Sequence, residues 1–172
     1  QITLRDIAAE AGFTRSNVYR YFRTREDIFL RLYRDELAAW ATAVRGRFTA
    51  VLDTPSFVEA WVELALAHPT LLRLTPLLAV SLERNGSTAL FRDFKRFGVR
   101  LFGELAEALG PQARAIGLGD VWFFLQYFQA LVAGAWPMAQ YTAEQEAVLA
   151  EPDLAGLRVD FPLLLRTALL RH

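Results

Sequence analysis

The sequence contains no cysteine and only two histidines, His68 and His172. Without cysteine, the chain forms no disulfide and offers neither a thiol nucleophile nor a zinc–thiolate site. Two histidines alone are too few for a histidine-based metal site. We therefore expect no metal and no cofactor, and the lack of cysteine fits the reducing environment of the cytoplasm.

Long hydrophobic runs are also missing, because charged residues or glutamine interrupt the apolar stretches. We therefore expect neither a membrane span nor a membrane partner, and we see no signal peptide. The 172 residues are nevertheless 53% hydrophobic, which is enough to bury a sizeable core. A cytoplasmic, folded protein is the expectation.

The formal net charge of zero conceals an uneven distribution. Residues 1–50 carry nine arginines and six acidic residues, a net charge of +3, and the remainder carries a net charge of −3. Four of these arginines lie between residues 15 and 25, interleaved with aromatic residues. A local excess of positive charge is typical of a surface that binds a polyanion. Ordinary solvated helix faces often carry a similar excess of charge, so the arrangement of the residues has to distinguish the two interpretations.

Three capping patterns predict helices near the N-terminus. Thr3 and Asp6 form a capping box before the first helix, and Thr14 caps a short second helix that ends near residue 22. Thr24 and Asp27 open a long third helix. The residues predicted to line one side of it are Ile28, Leu32, Leu37, Trp40 and Val44.

The rest of the chain is also predicted to be helical. Apolar periodicity predicts helices over about 56–67, 70–84, 87–109, 119–136 and 159–171, with a weaker short helix near 143–150. Pro76 predicts a kink or break in the second of these, and Gly110-Pro111 and Trp136-Pro137 predict helix ends. No segment shows sustained two-residue alternation, so the sequence predicts an all-α fold.

Residues 4–22 predict a helix, a turn and a second helix. Ala8 allows the helices to approach closely, Gly12 suits a turn with positive φ, and Val18 anchors the second helix by facing inward. These residues have the spacing of a DNA-binding helix-turn-helix. On three residues alone, an ordinary corner between two helices is an equally good interpretation.

The neighbours of Val18 favour DNA binding. If Val18 faces inward, the outer N-terminal part of the second helix presents arginine and asparagine side chains, which pair with guanine and adenine edges in the major groove. Hydroxyl groups and a further arginine suit phosphates, as do the free amides after Thr24. The predicted DNA-binding residues are Thr14, Arg15, Ser16, Asn17, Tyr19, Tyr21 and Arg25.

The run TLRDIAAEAGFTRSNVYRYFRTREDIF resembles the helix-turn-helix signature of TetR-type (TetR/AcrR) transcriptional regulators. The resemblance covers roughly residues 2–33 and is carried by Ala11-Gly12-Phe13-Thr14, Val18-Tyr19, Tyr21-Phe22 and Thr24-Arg25-Glu26. Arg25 stands where lysine is commoner in the family. The family's DNA-binding domain begins with a helix that would lie before residue 1, so we expect upstream residues to complete this unit.

The resemblance implies a helix-turn-helix DNA-binding domain with a connecting helix over 1–46, and a larger helical effector-binding and dimerisation domain over 47–172. It also implies a homodimer through the helices near 119–136 and 159–171, with Ala130, Ala133 and Gly134 allowing close approach. Burial within one monomer is the alternative for these helices. A two-fold dimer would bind a palindromic double-stranded DNA operator.

The resemblance further implies an effector pocket in the second domain. Candidate lining residues are Trp61, Phe94, Phe97, Trp122, Gln126, Tyr127 and Gln129. The aromatic residues suggest a small hydrophobic effector, although aromatic residues at helical spacing more often only fill a core. A buried glutamine amide needs hydrogen-bond partners, and a ligand can supply them.

Three functions compete. The leading one is a bacterial dimeric repressor that a small hydrophobic effector releases from its operator. The second is a DNA-binding regulator without a small ligand, controlled by a protein partner or by its own abundance. A ligand-sized cavity favours the first, and a fully packed second domain favours the second. We expect no enzyme, because we find no Ser-His-acid set, no Gly-rich phosphate loop and no metal-ligand spacing.

Overall fold

The computed structural model describes residues 3–12 and 14–171, apart from the side chains of Arg15 and Ala79. The described residues form helices and no strand, which confirms the all-α prediction. Three helices begin the chain: α1 (Leu4–Glu10), α2 (Arg15–Tyr21) and α3 (Arg25–Arg47). All three predicted N-caps are present, since the hydroxyls of Thr3, Thr14 and Thr24 each accept a backbone hydrogen bond from the first turn of the helix that follows.

Helices α1 and α2 form the predicted helix-turn-helix with a small core of its own. Gly12 has a φ of 69°, the left-handed conformation predicted for the turn. Leu4, Ala8 and Val18 are buried together, and Phe22 and Ile28 pack against them. The predicted inward direction of Val18 is therefore confirmed.

Helix α3 contributes to two cores. Ile28 packs against the small N-terminal cluster. The following turns bury Leu30, Tyr33, Leu37, Trp40, Ala41 and Val44 in the large core of the rest of the chain. The prediction that Leu32 lies on this side is wrong, because Leu32 is exposed and the buried face passes through Leu30 and Tyr33 instead.

The next helices are α4 (Thr54–Leu66) and α5 (Pro69–Leu77). Helix α5 gives way to a π-helical turn at Leu78–Leu82 and to the short helix α6 (Glu83–Asn85). The predicted interruption at Pro76 is confirmed, because proline removes one helical hydrogen bond and the chain changes its hydrogen-bond pattern two residues later.

Helix α7 (Thr88–Ile116) is longer than predicted. The prediction that Gly110-Pro111 ends it is wrong, because Gln112 and Ala113, directly after the proline, are buried and continue the helix into the core. The Gln112 amide donates to the carbonyl of Leu52 at 2.8 Å and accepts from the Leu52 N–H at 2.7 Å. The helix ends instead at Gly117, which has a left-handed conformation with a φ of 68°.

The chain closes with α8 (Val121–Met138), α9 (Ala143–Leu149), a 3₁₀ turn (Ala155–Leu157) and α10 (Phe161–Leu170). Pro137 lies within the last turn of α8, so the predicted helix end at Trp136-Pro137 falls two residues too early. Helix α8 packs on α5 and α7, and α10 packs on α4 and α8. The Tyr141 hydroxyl accepts from the Val159 N–H at 2.7 Å and so joins the two ends of the α9 segment.

Replacing Gln112 by Met should destabilise the fold by about 1–3 kcal/mol, because both backbone groups of Leu52 lose their side-chain partner in a buried place. Urea unfolding measures the difference. The exposed Gln140→Met change is the matched control and should leave the free energy of unfolding unchanged. An equal, near-zero effect of both variants would show that the Gln112–Leu52 link does not stabilise the domain.

Candidate nucleic-acid interface and effector cavity

The outer face of α2 is polar and exposed. Ser16, Asn17, Tyr19 and Tyr21 are all exposed, with 45% of Tyr19 and 63% of Tyr21 accessible to solvent. Thr14, also exposed, caps the helix through the Asn17 N–H at 3.4 Å. The side chain of Arg15 lies outside the described part. We call the outward-facing residues 14, 16, 17, 19 and 21 the recognition face.

Arg25 lies beside this face but is already engaged in an ion pair. Its Nε is 2.7 Å from Oε1 of Glu26, and both side chains are largely buried. Tyr19 and Arg25 line one open groove, together with Thr3, Arg23 and Thr24. A phosphate entering this groove would compete with Glu26 for the Arg25 guanidinium.

The carboxylate of Asp27 joins the helix-turn-helix to the start of α7. Its Oδ2 accepts from the backbone N–H groups of Arg23 at 3.0 Å and Thr24 at 3.3 Å. Its Oδ1 accepts from the N–H of Ser87 at 2.9 Å, sixty residues along the chain. Burial by itself raises the pKa of Asp27, but these backbone hydrogen bonds outweigh it and lower the pKa below the usual value.

Two adjoining cavities lie within the large helical region. The inner cavity, of about 30 Å³, is apolar and lies among α3, α5 and α8. The outer cavity, of about 200 Å³, lies among α3, α7 and α8 and opens towards solvent. Tyr33, Leu37, Phe102 and Gln129 line both cavities. The inner cavity has room for little more than water, and the outer one is smaller than a typical site for a drug-sized molecule.

The structure brings four of the seven predicted effector residues to these cavities. Phe94, Trp122 and Gln126 line the outer cavity and Gln129 lines both. Trp61 is fully buried behind Trp40 and Phe128, which line the inner cavity, and Trp61 itself lines neither cavity. Phe97 packs against the Phe94 ring and under Arg34, and Tyr127 packs at the edge of the large core. Neither residue lines either of these two cavities.

Sequence reasoning predicted Gln126 and Gln129 but missed the other polar residues at these cavities, Tyr33, Thr75, Glu83 and Lys95. Burial raises the pKa of the Tyr33 hydroxyl to about 12, and the nearby Glu83 carboxylate adds to this, although a hydrogen bond with Thr75 opposes the shift. Glu83 and Lys95 both line the outer cavity and form an ion pair at 2.6 Å. No local sequence pattern signals these residues, because they come from α3, α5, α6 and α7 and meet only after packing.

Helices α8 and α10 each carry an exposed apolar stripe. On α8 the stripe contains Phe123, Ala130, Gly134 and Met138, which recur at seven- and four-residue spacing. On α10 it contains Leu163 and Leu170, which are 59% and 54% exposed. The opposite sides of both helices are buried in the large core.

The sequence matches two family models that together cover nearly all of it. Residues 1–32 match the bacterial regulatory proteins of the tetR family, and residues 34–172 match the tetracyclin repressor-like C-terminal domain. The chain belongs to the TetR family. No curated protein matches the sequence.

Membership of the TetR family makes this chain a DNA-binding transcriptional regulator. TetR-family proteins bind DNA operators, typically act as repressors and typically form homodimers. Within the described ranges, no cluster of three or more potential metal ligands occurs. No single described helix is both long and apolar enough to cross a membrane. Helices α7 and α8 reach that length and apolar composition only together, as a pair bent by 95°.

Replacing Asp27 by Asn should destabilise the protein by about 1–3 kcal/mol near neutral pH, because an amide cannot accept all three backbone hydrogen bonds. The folded-state pKa of Asp27 lies below its unfolded value, so this stabilisation is complete above the unfolded pKa of about 3.9 and is lost as the pH falls through the folded pKa. Urea unfolding at a series of pH values should show the gap between wild type and variant closing in acid.

The control for this variant is Asp35→Asn, an exposed carboxylate on the same helix. Its effect should be near zero at every pH. A gap for Asp27→Asn that stays constant from neutral to acidic pH would contradict the assigned role of the ionised carboxylate.

Proposed function

We propose that this protein is a dimeric repressor that a small, hydrophobic effector releases from a palindromic operator. The observation that carries the proposal is the recognition face, a polar and exposed surface on the second helix of the helix-turn-helix. A repressor of this kind would act in the bacterial cytoplasm, where its operator DNA is. The division into a DNA-binding part at 1–46 and an effector and dimerisation part at 47–172 remains a prediction.

We assign base reading to the N-terminal half of α2. Asn17, which is exposed, suits bidentate pairing with adenine, and Arg15 suits guanine. Thr14, Ser16 and the two exposed tyrosines, Tyr19 and Tyr21, would contact base edges or phosphates. Arg25 would contact a phosphate by exchanging its bond with Glu26 for one with DNA.

The stripes on α8 and α10 support a dimer. A contiguous exposed apolar surface is typical of a site where a partner binds. The exposed Ala130 and Gly134 carry little or no side chain, so another helix can come close. We propose that these two helices pack against their copies in a second chain, so that two recognition faces lie on one side of the DNA.

Release from the operator by an effector is the part of the proposal that has a competing alternative. The outer cavity supports an effector, because it is lined by aromatic residues and a few polar groups. The small size of the inner cavity supports the alternative, a regulator controlled by a protein partner or by abundance. We favour the effector because Gln129, which is part-buried, lines both cavities and its amide can hydrogen-bond to a ligand there.

The full-length protein should enrich a palindromic sequence from a random DNA pool. Titration of that sequence and its single-base variants should then separate two kinds of residue. Asn17→Ala should relax preference at particular base pairs, by about 1–3 kcal/mol. Arg25→Ala should weaken binding to all sequences and reduce the slope of log affinity against log salt by about 1.

The control is Arg114→Ala, an exposed arginine in the last turn of α7, which should change neither quantity. Uniform loss for Asn17→Ala would reassign it to the phosphate backbone. Failure of the folded, dimeric protein to enrich any sequence at low salt would overturn the proposed operator binding.

Replacing Gly134 by Asp should dissociate the dimer, because the two-fold axis brings the like charges of two copies together in an apolar interface. The monomer should tolerate the change, since an added Cβ at Gly134 meets no atom within 4 Å. Sedimentation velocity would measure the mass. Gly46→Asp, at an equally open helical glycine on α3, is the control and should leave the dimer intact. An unchanged mass for both variants would rule out this interface.

A further inference from the structure

The outer cavity already holds a positive charge, supplied by the protein itself. The Lys95 ammonium lies 2.6 Å from Oε1 of Glu83. It also lies 5.2 Å from the ring centre of Phe91 and 6.0 Å from that of Phe94. Aromatic faces attract cations, so one carboxylate and two rings lie beside this half-exposed ammonium.

The two members of this ion pair differ in burial. The Lys95 side chain is 52% exposed, whereas the Glu83 side chain is only 17% exposed. Lysine has a flexible stem and can move its ammonium into water at little cost. Glu83 stays in the cavity wall near Tyr33, where a carboxylate without a cation is poorly solvated. Lys95 is therefore the exchangeable partner, and Glu83 is the fixed one.

We propose that the outer cavity binds lipophilic organic cations, whose ammonium group displaces Lys95 from Glu83 and whose apolar group occupies the aromatic cavity. This inference rests on the effector site of the proposed function and names its ligand class. Departure of Lys95 also enlarges a cavity that is otherwise only about 200 Å³. The apolar part of the ligand would contact Leu37, Phe102 and Trp122, all of which line the cavity.

Ligands of other charge fit this cavity less well. An anion attracted to Lys95 would bring its charge close to Glu83, and the repulsion would oppose binding. A neutral ligand would leave the ion pair in place and have only the smaller cavity available. Exchange of one cation for another keeps the Glu83 carboxylate paired throughout.

The test compares three probes of one shape with the full-length protein. They are phenylpropyl-trimethylammonium, its neutral isostere with carbon in place of nitrogen, and the phenylalkyl carboxylate of equal length. Calorimetry gives the affinities, and tryptophan fluorescence reports occupancy through Trp122. The cation should bind about tenfold more tightly than the neutral isostere, since Glu83 pairs with it alone.

Two variants should shift these affinities in opposite directions. Glu83→Gln should remove the preference for the cation, and Lys95→Met should strengthen cation binding because the internal competitor is gone. Glu104→Gln is the matched control, since Glu104 is an exposed carboxylate on α7 that pairs with Arg45. It should leave all three affinities unchanged. If Glu83→Gln fails to fold, the affinities of the three probes for the wild type and for Lys95→Met still test whether the cavity prefers a cation.

The outcomes separate this inference from the proposed function. Tightest binding of the carboxylate, equal binding of all three probes, or weaker cation binding by Lys95→Met would overturn the ligand class. Lack of binding by any probe, with operator binding by the same sample, would overturn the inference and leave the DNA-binding function. Cation binding with the predicted variant shifts, but without release of DNA, would support the site and overturn effector control.

Discussion

The buried carboxylate of Asp27 connects the two parts of this molecule. It completes the capping box at the start of α3 and accepts a hydrogen bond from the N–H of Ser87, next to α7. Helix α3 then contributes to the small N-terminal core through Ile28 and to the large core through its later turns. The orientation of the recognition face relative to the helical bundle therefore depends on one charged group with three backbone partners and on one shared helix.

Local patterns in the sequence predicted much of the fold. The three N-caps, the positive φ of Gly12 and the inward direction of Val18 follow from residues no more than a few positions apart, and all are present. The break at Pro111 was wrongly predicted, because proline removes only one helical hydrogen bond and the buried residues that follow it keep the helix continuous. The predicted end at Pro137 was two residues too early. The side of α3 that faces the core was misjudged at Leu32 for a related reason, since tertiary contacts and not periodicity alone select the buried face.

The candidate cavity was harder to predict than the recognition face. The recognition face lies on one short helix, so its geometry follows from helical spacing. The cavities are lined by residues from several helices, and whether Trp61 or Phe94 faces a cavity depends on how those helices cross. Glu83 and Lys95 lie twelve residues apart on separate helices, and nothing in the sequence marks them as a pair.

The outer cavity and the Asp27 junction are close along the chain. Leu78 and Glu83 line the cavity, and Ser87 follows only four residues after Glu83. The segment from Leu78 to Ser87 begins with the π-helical turn, whose hydrogen bonds differ from those of a regular helix. A ligand that pairs with Glu83 therefore contacts a short, irregular segment that ends at the hydrogen bond from Ser87 to Asp27.

Position 86, just before Ser87, tolerates no residue larger than glycine without a local shift. Its φ of −74° suits any amino acid, so the requirement for glycine is one of space. An added Cβ would lie 2.8 Å from the carbonyl oxygen of Leu82 and 3.6 Å from Oδ1 of Asp27. Arg84 and Asn85 are exposed and free to drift. Over evolutionary time, position 86 should therefore remain fixed between neighbours that change.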